Sequence, residues 1–280
     1  MDQVEKVLKT KKRNDATRRF VIKRLIKNDR LKTYELYIKL AQRLGYKVCC
    51  MKEFYDEKDN EKKHFVLRHD VDNVTIATEK MFDLERKLGV TSTYYFRFST
   101  FDKNLVSKMI KAGFEVGLHY ETIADYAKYY RCTSIEQVDM KEVKEKLKAD
   151  IEIFNSWCGK KTVSCASHGH SLNSLWKCSN NIIFEDSEPT ELGVVFEAYD
   201  KDMYEKYVDC HIMDGPLRVN CGFSYQTNPI QAMLSEKRNI IFLAHPMHWD
   251  GTRNEQLFKI GGAMMHGISV STDRKFLRTY

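Results

Sequence analysis

Phe65-Val66-Leu67-Arg68-His69-Asp70-Val71-Asp72 is the stretch from which the rest of the chain is read. Its Val and Leu content is that of a buried strand, and the apolar run gives way to two carboxylates at its C-terminal end. Residues two apart on a strand project from the same face, so Asp70 and Asp72 are expected to enter one pocket, with Arg68 on that face as a candidate partner. Two like charges in one pocket repel, and they need a cation to remain ionised. The bland alternative is that an Asp at a strand end only caps the helix that follows.

Outward from this strand the pattern alternates. Spacing predicts a helix over 76–88 ending at Gly89, a strand over 91–99, a helix over 105–112 ending at Gly113 and a strand over 114–119. A long charged helix over 135–155 precedes a strand over 162–167, and further apolar segments lie at 193–198, 211–213 and 239–245. On the N-terminal side, a polar loop over 56–63 follows two amphipathic helices in residues 1–45, the second ended by Gly45. Strands alternating with helices favour parallel pairing, in a closed barrel or an open doubly wound sheet. In both architectures ligands bind beyond the carboxyl ends of the strands.

Polar residues collect at those ends. Glu115-Val116-Gly117-Leu118-His119 finishes in an imidazole, as do Ser164-Cys165-Ala166-Ser167-His168-Gly169-His170 and Ile240-Ile241-Phe242-Leu243-Ala244-His245. A lone histidine is more often structural, but four strands delivering Asp or His to one rim form a set. One Asp with two His suits zinc or another first-row divalent ion, with positions left for water and substrate. Such an ion polarises a carbonyl and lowers the pKa of bound water toward about 7.

Leu67-Arg68-His69-Asp70-Val71-Asp72 resembles the first motif of the polysaccharide deacetylase family, carbohydrate esterase family 4. In matching order, residues 113–119 resemble the second motif, Leu243-Ala244-His245-Pro246 the final histidine motif, and residues 91–96 the strand after the first helix; together the resemblance spans about 64–250. It implies a distorted (β/α)7 barrel that hydrolyses the acetyl group of an N-acetylated sugar or glycan precursor with a divalent metal, most simply Zn2+, with Co2+, Ni2+ or Mn2+ as alternatives. Carried over by position, Asp70 is the general base, Asp72 and His119 bind the metal, and His245 is the acid that protonates the leaving amine. Amide hydrolysis requires that division: a nucleophilic water, a centre for the oxyanion and a proton for the departing nitrogen.

The sequence departs from the family where a second histidine follows four residues after the first; that position is Ile123. Ser167-His168-Gly169 resembles a motif of a divergent cytoplasmic branch, which makes His168 the expected third ligand and His170 the runner-up. The family's arginine-bearing motif has no match, so the residue that orients Asp70 is unassigned. Tyr95, Arg97 and Trp249 are candidate substrate contacts, with packing as the alternative for each. Asp214, in the turn-like Met213-Asp214-Gly215-Pro216, either reaches the rim or stabilises a loop.

The 280 residues suffice for one large α/β domain over 46–280, with 1–45 as a basic helical extension packed on the barrel. Residues 1–33 hold twelve Lys or Arg against four Asp or Glu, leaving the remainder near neutral within a net charge of +7. Such an arm is a solvated helix or a contact for a membrane surface or anionic ligand; no nucleic-acid partner is expected. Eight cysteines without a CxxC pair, and no signal peptide at the start, suggest a reducing cytoplasm, and no apolar run is long enough for a membrane span. Two other functions fit the same residues: a metal-dependent amidase acting on a non-sugar amide or imide, and a catalytically silent carbohydrate-binding protein.

Overall fold

A computed structural model describes residues 30–73, 76–214 and 229–250. The strands are β1 (Lys47–Cys49), β2 (His64–Val71), β3 (Thr93–Phe96), β4 (Glu115–Tyr120), β5 (Ser164–Ser167), β6 (Phe196–Glu197), β7 (Cys210–Met213) and β8 (Asn239–Ala244). β2 is buried over its whole length. One of its edges pairs with β8 from His64↔Asn239 to His69↔Ala244; the other takes β1 along its first half and β3 along its second. The order β6-β5-β4-β3-β2-β8-β7 is parallel throughout and curls into a distorted (β/α) barrel of seven strands. Among the described residues β6 and β7 do not pair, so the barrel is open there.

The helices are α1 (Leu31–Arg43), α2 (Met51–Glu57), α3 (Ile76–Lys87), α4 (Lys103–Lys111), α5 (Thr122–Tyr130), α6 (Met140–Cys158), α7 (Ser171–Trp176), α8 (Lys201–Tyr207) and α9 (Pro229–Leu234). Their limits follow local chemistry. Gly45 follows α1 at φ +79°, and Asp139 starts α6 by accepting from the amides of Lys141 and Glu142, while Gly159 at φ +71° ends it. The strand expected over 91–99 is shorter, because Thr100 donates to the Val71 carbonyl and draws 98–100 into a 3-10 turn. No helix among the described residues is long and apolar enough to cross a membrane.

Side-chain parity along β2 places the chemistry. Phe65 and Leu67 pack outward with Tyr34, Tyr37 and Ile38 of α1 and with Phe242. Val66 points into the barrel with Tyr95, Ala166, Phe196 and Ile241. Arg68 and Asp70 share the parity of Val66, and His69 that of Leu67. His69 accordingly faces a buried polar network around Glu85 of α3, whose carboxylate is held by His69 Nε2 at 2.7 Å, Ser92 Oγ at 2.7 Å, Tyr94 Oη at 2.8 Å and Tyr34 Oη. Burial pushes the Glu85 pKa up, but His69 and these donors outweigh it and hold the group below its usual range. α1, the described part of the expected extension, is thereby hydrogen-bonded and packed into the barrel wall; residues 1–29 of the basic arm lie outside the described residues.

β4 needs its glycine. A Cβ on Gly117 would sit 2.4 Å from the Ser164 carbonyl oxygen and 2.7 Å from the Tyr95 ring, which crosses the strand here. That crossing fills the barrel below the rim, where Tyr95 Oη and Ser164 Oγ lie 2.7 Å apart.

Candidate metal centre and catalytic groups

Asp72, His119 and His168 reach the same point from the ends of β2, β4 and β5. Oδ1 of Asp72 lies 3.3 Å from His119 Nε2 and 3.6 Å from His168 Nε2. It is buried and makes no hydrogen bond. The tautomers explain why. His119 Nδ1 is 3.0 Å from the Ala166 carbonyl, which only accepts, so the ring proton sits on Nδ1 and Nε2 presents a lone pair. His168 Nδ1 is 2.9 Å from Glu121 Oε2, with the same result.

With both rings neutral, three acceptors converge with no proton between them, an arrangement that a bound cation would stabilise. The spacing suits one as well: atoms about 2.1 Å from a tetrahedral ion are about 3.4 Å apart. The donor set of one carboxylate and two imidazoles fits a first-row divalent metal.

Arg68 is the missing partner of Asp70. Nε donates to Oδ1 and Nη2 to Oδ2, both at 3.0 Å, and Nη1 donates to the Ala198 carbonyl at 3.2 Å. Its guanidinium is sandwiched by Tyr199 at 4.0 Å and Tyr95 at 5.2 Å. Asp70 is buried, which opposes ionisation, yet Arg68 wins and the group stays a carboxylate able to accept a proton. Its Oδ2 is 3.5 Å from His119 Nε2, so it borders the three-residue cluster.

His245 stands on the other side, with Nε2 3.6 Å from Asp72 Oδ2. Asp214, at the end of β7, takes its Nδ1 proton at 2.6 Å and its backbone amide at 2.9 Å. Trp249 Nε1 donates to the same carboxylate at 2.7 Å. Burial works against a charged His245, but Asp214, followed by Asp72 and Asp70, pushes its pKa up to about 9, so the ring carries a proton to give. Asp214 therefore reaches the rim, the first of its two expected roles.

The expected substrate contacts fare differently. Tyr95 is fully buried beneath Arg68, and Trp249 is 1% exposed between Tyr34 and Phe242; neither lies on the rim surface. Those two rings take the packing role that was the alternative for each: they brace Arg68 and Asp214. Arg97, part exposed, pairs with Glu121 through Nη2 and Oε1. Glu121 is held down to about 2, where burial is outweighed by His168 and Arg97. His170 points away: its Nδ1 accepts from the Leu172 amide at 3.1 Å and caps α7, which leaves His168 as the histidine beside Asp72. Sequence reasoning passed over Glu121, although it stands two residues after His119, the same spacing that pairs Asp70 with Asp72.

The fold and the site define a (β/α)-barrel protein with an Asp-His-His cluster flanked by an arginine-bound carboxylate and a protonated histidine. No family model and no curated protein matches the sequence. Among solved structures, the chain is similar to a family 4 carbohydrate esterase from Bacillus anthracis, at 16% identity over 83% of this chain and 86% of that one, TM-score 0.40. It is also similar to a family 4 carbohydrate esterase from Streptomyces lividans in complex with acetate, at 12% identity over 66% and 79%, TM-score 0.39. A third is a CE4 family pseudoenzyme from Bacillus anthracis, at 13% identity over 74% and 62%, TM-score 0.41.

Proposed function

We propose that the chain is a metal-dependent hydrolase that removes an acetyl group from an N-acetylated sugar or glycan precursor. The observation that carries the reading is the convergence on Asp72 Oδ1 of two imidazole nitrogens whose protons are committed elsewhere. Asp72, His119 and His168 would hold a divalent ion, with zinc the first choice and cobalt, nickel and manganese the alternatives. Bound there, the ion supplies polarisation of the acyl oxygen and acidification of water.

The remaining groups divide the proton work. Asp70, fixed by Arg68, takes the proton of the attacking water, and His245, charged through Asp214, gives one to the leaving nitrogen. An amine leaves only when protonated, so a histidine with a pKa near 9 suits an amide better than an anhydride or thioester. The sugar is supported by the motif resemblance at 67–72 and 113–119. A reducing compartment suits the seven free cysteines among the described residues.

The test is acetate release from acetylated amino sugars, nucleotide sugars and oligosaccharides, with protein loaded in turn with zinc, cobalt, nickel and manganese. Asp70→Asn is expected to keep the metal and lose hydrolysis, and Asp72→Ala to lose both. Normal turnover by Asp70→Asn removes the base assignment, and a wild-type protein that binds none of the four ions removes the reading altogether.

A further inference from the structure

His168 is the more weakly anchored of the two histidines in the cluster. Its side chain is 16% exposed against 2% for His119, and it stands one residue beyond β5, where no strand partner fixes the ring. Its backbone is tied twice: the amide donates to the Tyr120 carbonyl at 2.7 Å, and the carbonyl accepts from Asn180 Nδ2 at 2.7 Å. Neither bond sets the direction of the imidazole. The contact that does is Nδ1 to Glu121 Oε2 at 2.9 Å, and the other oxygen of that carboxylate is taken by Arg97.

We propose that Glu121, itself held by Arg97, is the positioning residue that turns His168 Nε2 toward Asp72 and makes it a metal-binding nitrogen; this rests on the reading of Asp72, His119 and His168 as a divalent-cation site. The two histidines are anchored by different means. His119 has a neutral carbonyl inside the sheet behind it, whereas His168 has a carboxylate. A carboxylate behind an imidazole fixes its tautomer and orientation and raises the basicity of the opposite nitrogen. Arg97, paired with the other oxygen, keeps the carboxylate from swinging.

The geometry is also economical in chain terms. His119 and Glu121 are two apart on one strand end, so β4 supplies one candidate ligand directly and anchors a second on the neighbouring strand. The parallel register that sets Tyr120 opposite Ser167 brings His168, the first residue after β5, within reach of Glu121.

The experiment is a cobalt titration of full-length apoprotein, followed by the visible absorption of the bound ion and by competition with zinc. Wild type, Glu121→Ala, Glu121→Gln and Arg97→Ala are compared, with melting of each metal-free protein as the check on folding. Glu121→Ala is expected to weaken cobalt by about 10- to 100-fold, with an altered absorption band. Glu121→Gln, whose amide oxygen still accepts from Nδ1, is expected to lose about 3- to 10-fold, and Arg97→Ala to fall in the same range. A folded Glu121→Ala that binds cobalt within about twofold of wild type, with the same band, overturns the proposal. Should that variant not fold, Glu121→Gln decides by the same criterion. Failure of the wild type to bind cobalt or zinc overturns the cation site and this inference together, whereas tight wild-type binding unaffected by the substitutions overturns the inference alone.

Discussion

Arg68→Met tests whether Asp70 is held ready by a single guanidinium. Arg68 is 0% exposed and Asp70 2%, and two hydrogen bonds of 3.0 Å join them. Bonds to charged groups contribute about 1.5–3 kcal/mol each, so the pair amounts to roughly 3–6 kcal/mol. Removing one member of a buried pair costs about 3–5 kcal/mol by an independent route, because the other charge is left unpaired in the interior. The two figures agree on about 4 kcal/mol for Arg68→Met, measured by urea unfolding in the presence of a chelator so that metal adds nothing. Hydrolysis should fall with it, since Asp70 loses both bonds that aim it. Asp70→Asn alone strands the guanidinium and is costly for the same reason. The double variant Arg68→Met/Asp70→Asn removes both charges, so its cost should be at least about 2 kcal/mol less than the sum of the singles. Costs that add to within about 0.5 kcal/mol would refute the coupling and leave Asp70 oriented by something else.

Chelation of metal-loaded wild type should lower its melting temperature by roughly 5–10 °C, because ligand at 100 times its Kd stabilises by about 2.7 kcal/mol and each kcal/mol is about 2–4 °C in a chain of this size. Asp72→Ala should melt at one temperature with or without zinc, and an equal response in both proteins would put the ion elsewhere. Glu197 gives a pH test: burial pushes this fully buried acid up to about 7, so the fold favours its neutral form, and stability is lost as pH rises from about 4.5 through about 7. Relative to wild type, Glu197→Gln should gain about 3 kcal/mol between pH 4.5 and pH 8 in urea titrations; a difference that does not change with pH would contradict this.

Parity and strand ends made much of the site readable in the amino-acid sequence. Val66, Arg68, Asp70 and Asp72 alternate with outward residues on one strand, and that rule alone predicts which side chains enter the barrel. What could not be read is which strand lies beside which. Glu121 and His168 are 47 positions apart and meet only because β4 and β5 are neighbours. Arg68 was visible as a candidate beside Asp70, but its anchor on Ala198 and Tyr199 comes from a segment 130 residues on. For Trp249 and Tyr95 the linear string left substrate contact and packing both open, and only depth shows that they brace Asp214 and Arg68 from below. β1 and α2 went unread because three- and seven-residue elements offer too few periods for a pattern to register.

Charge matching explains why these particular residues belong together. Four carboxylates stand at the rim, and three have a cation of their own: Asp70 has Arg68, Glu121 has Arg97 and Asp214 has the protonated His245. Asp72 has none of its own among the described residues; its neighbours at 3.3 and 3.6 Å are the Nε2 atoms of His119 and His168, whose Nδ1 atoms face the Ala166 carbonyl and Glu121, and His245 at 3.6 Å is already paired with Asp214. A carboxylate with one oxygen buried and unbonded, and so poorly matched, is costly unless a positive charge arrives from outside the chain. In the proposed reaction that missing charge would sit between a base held in its ionised form and an acid held in its protonated form, the order in which water, acyl carbon and leaving nitrogen would be met.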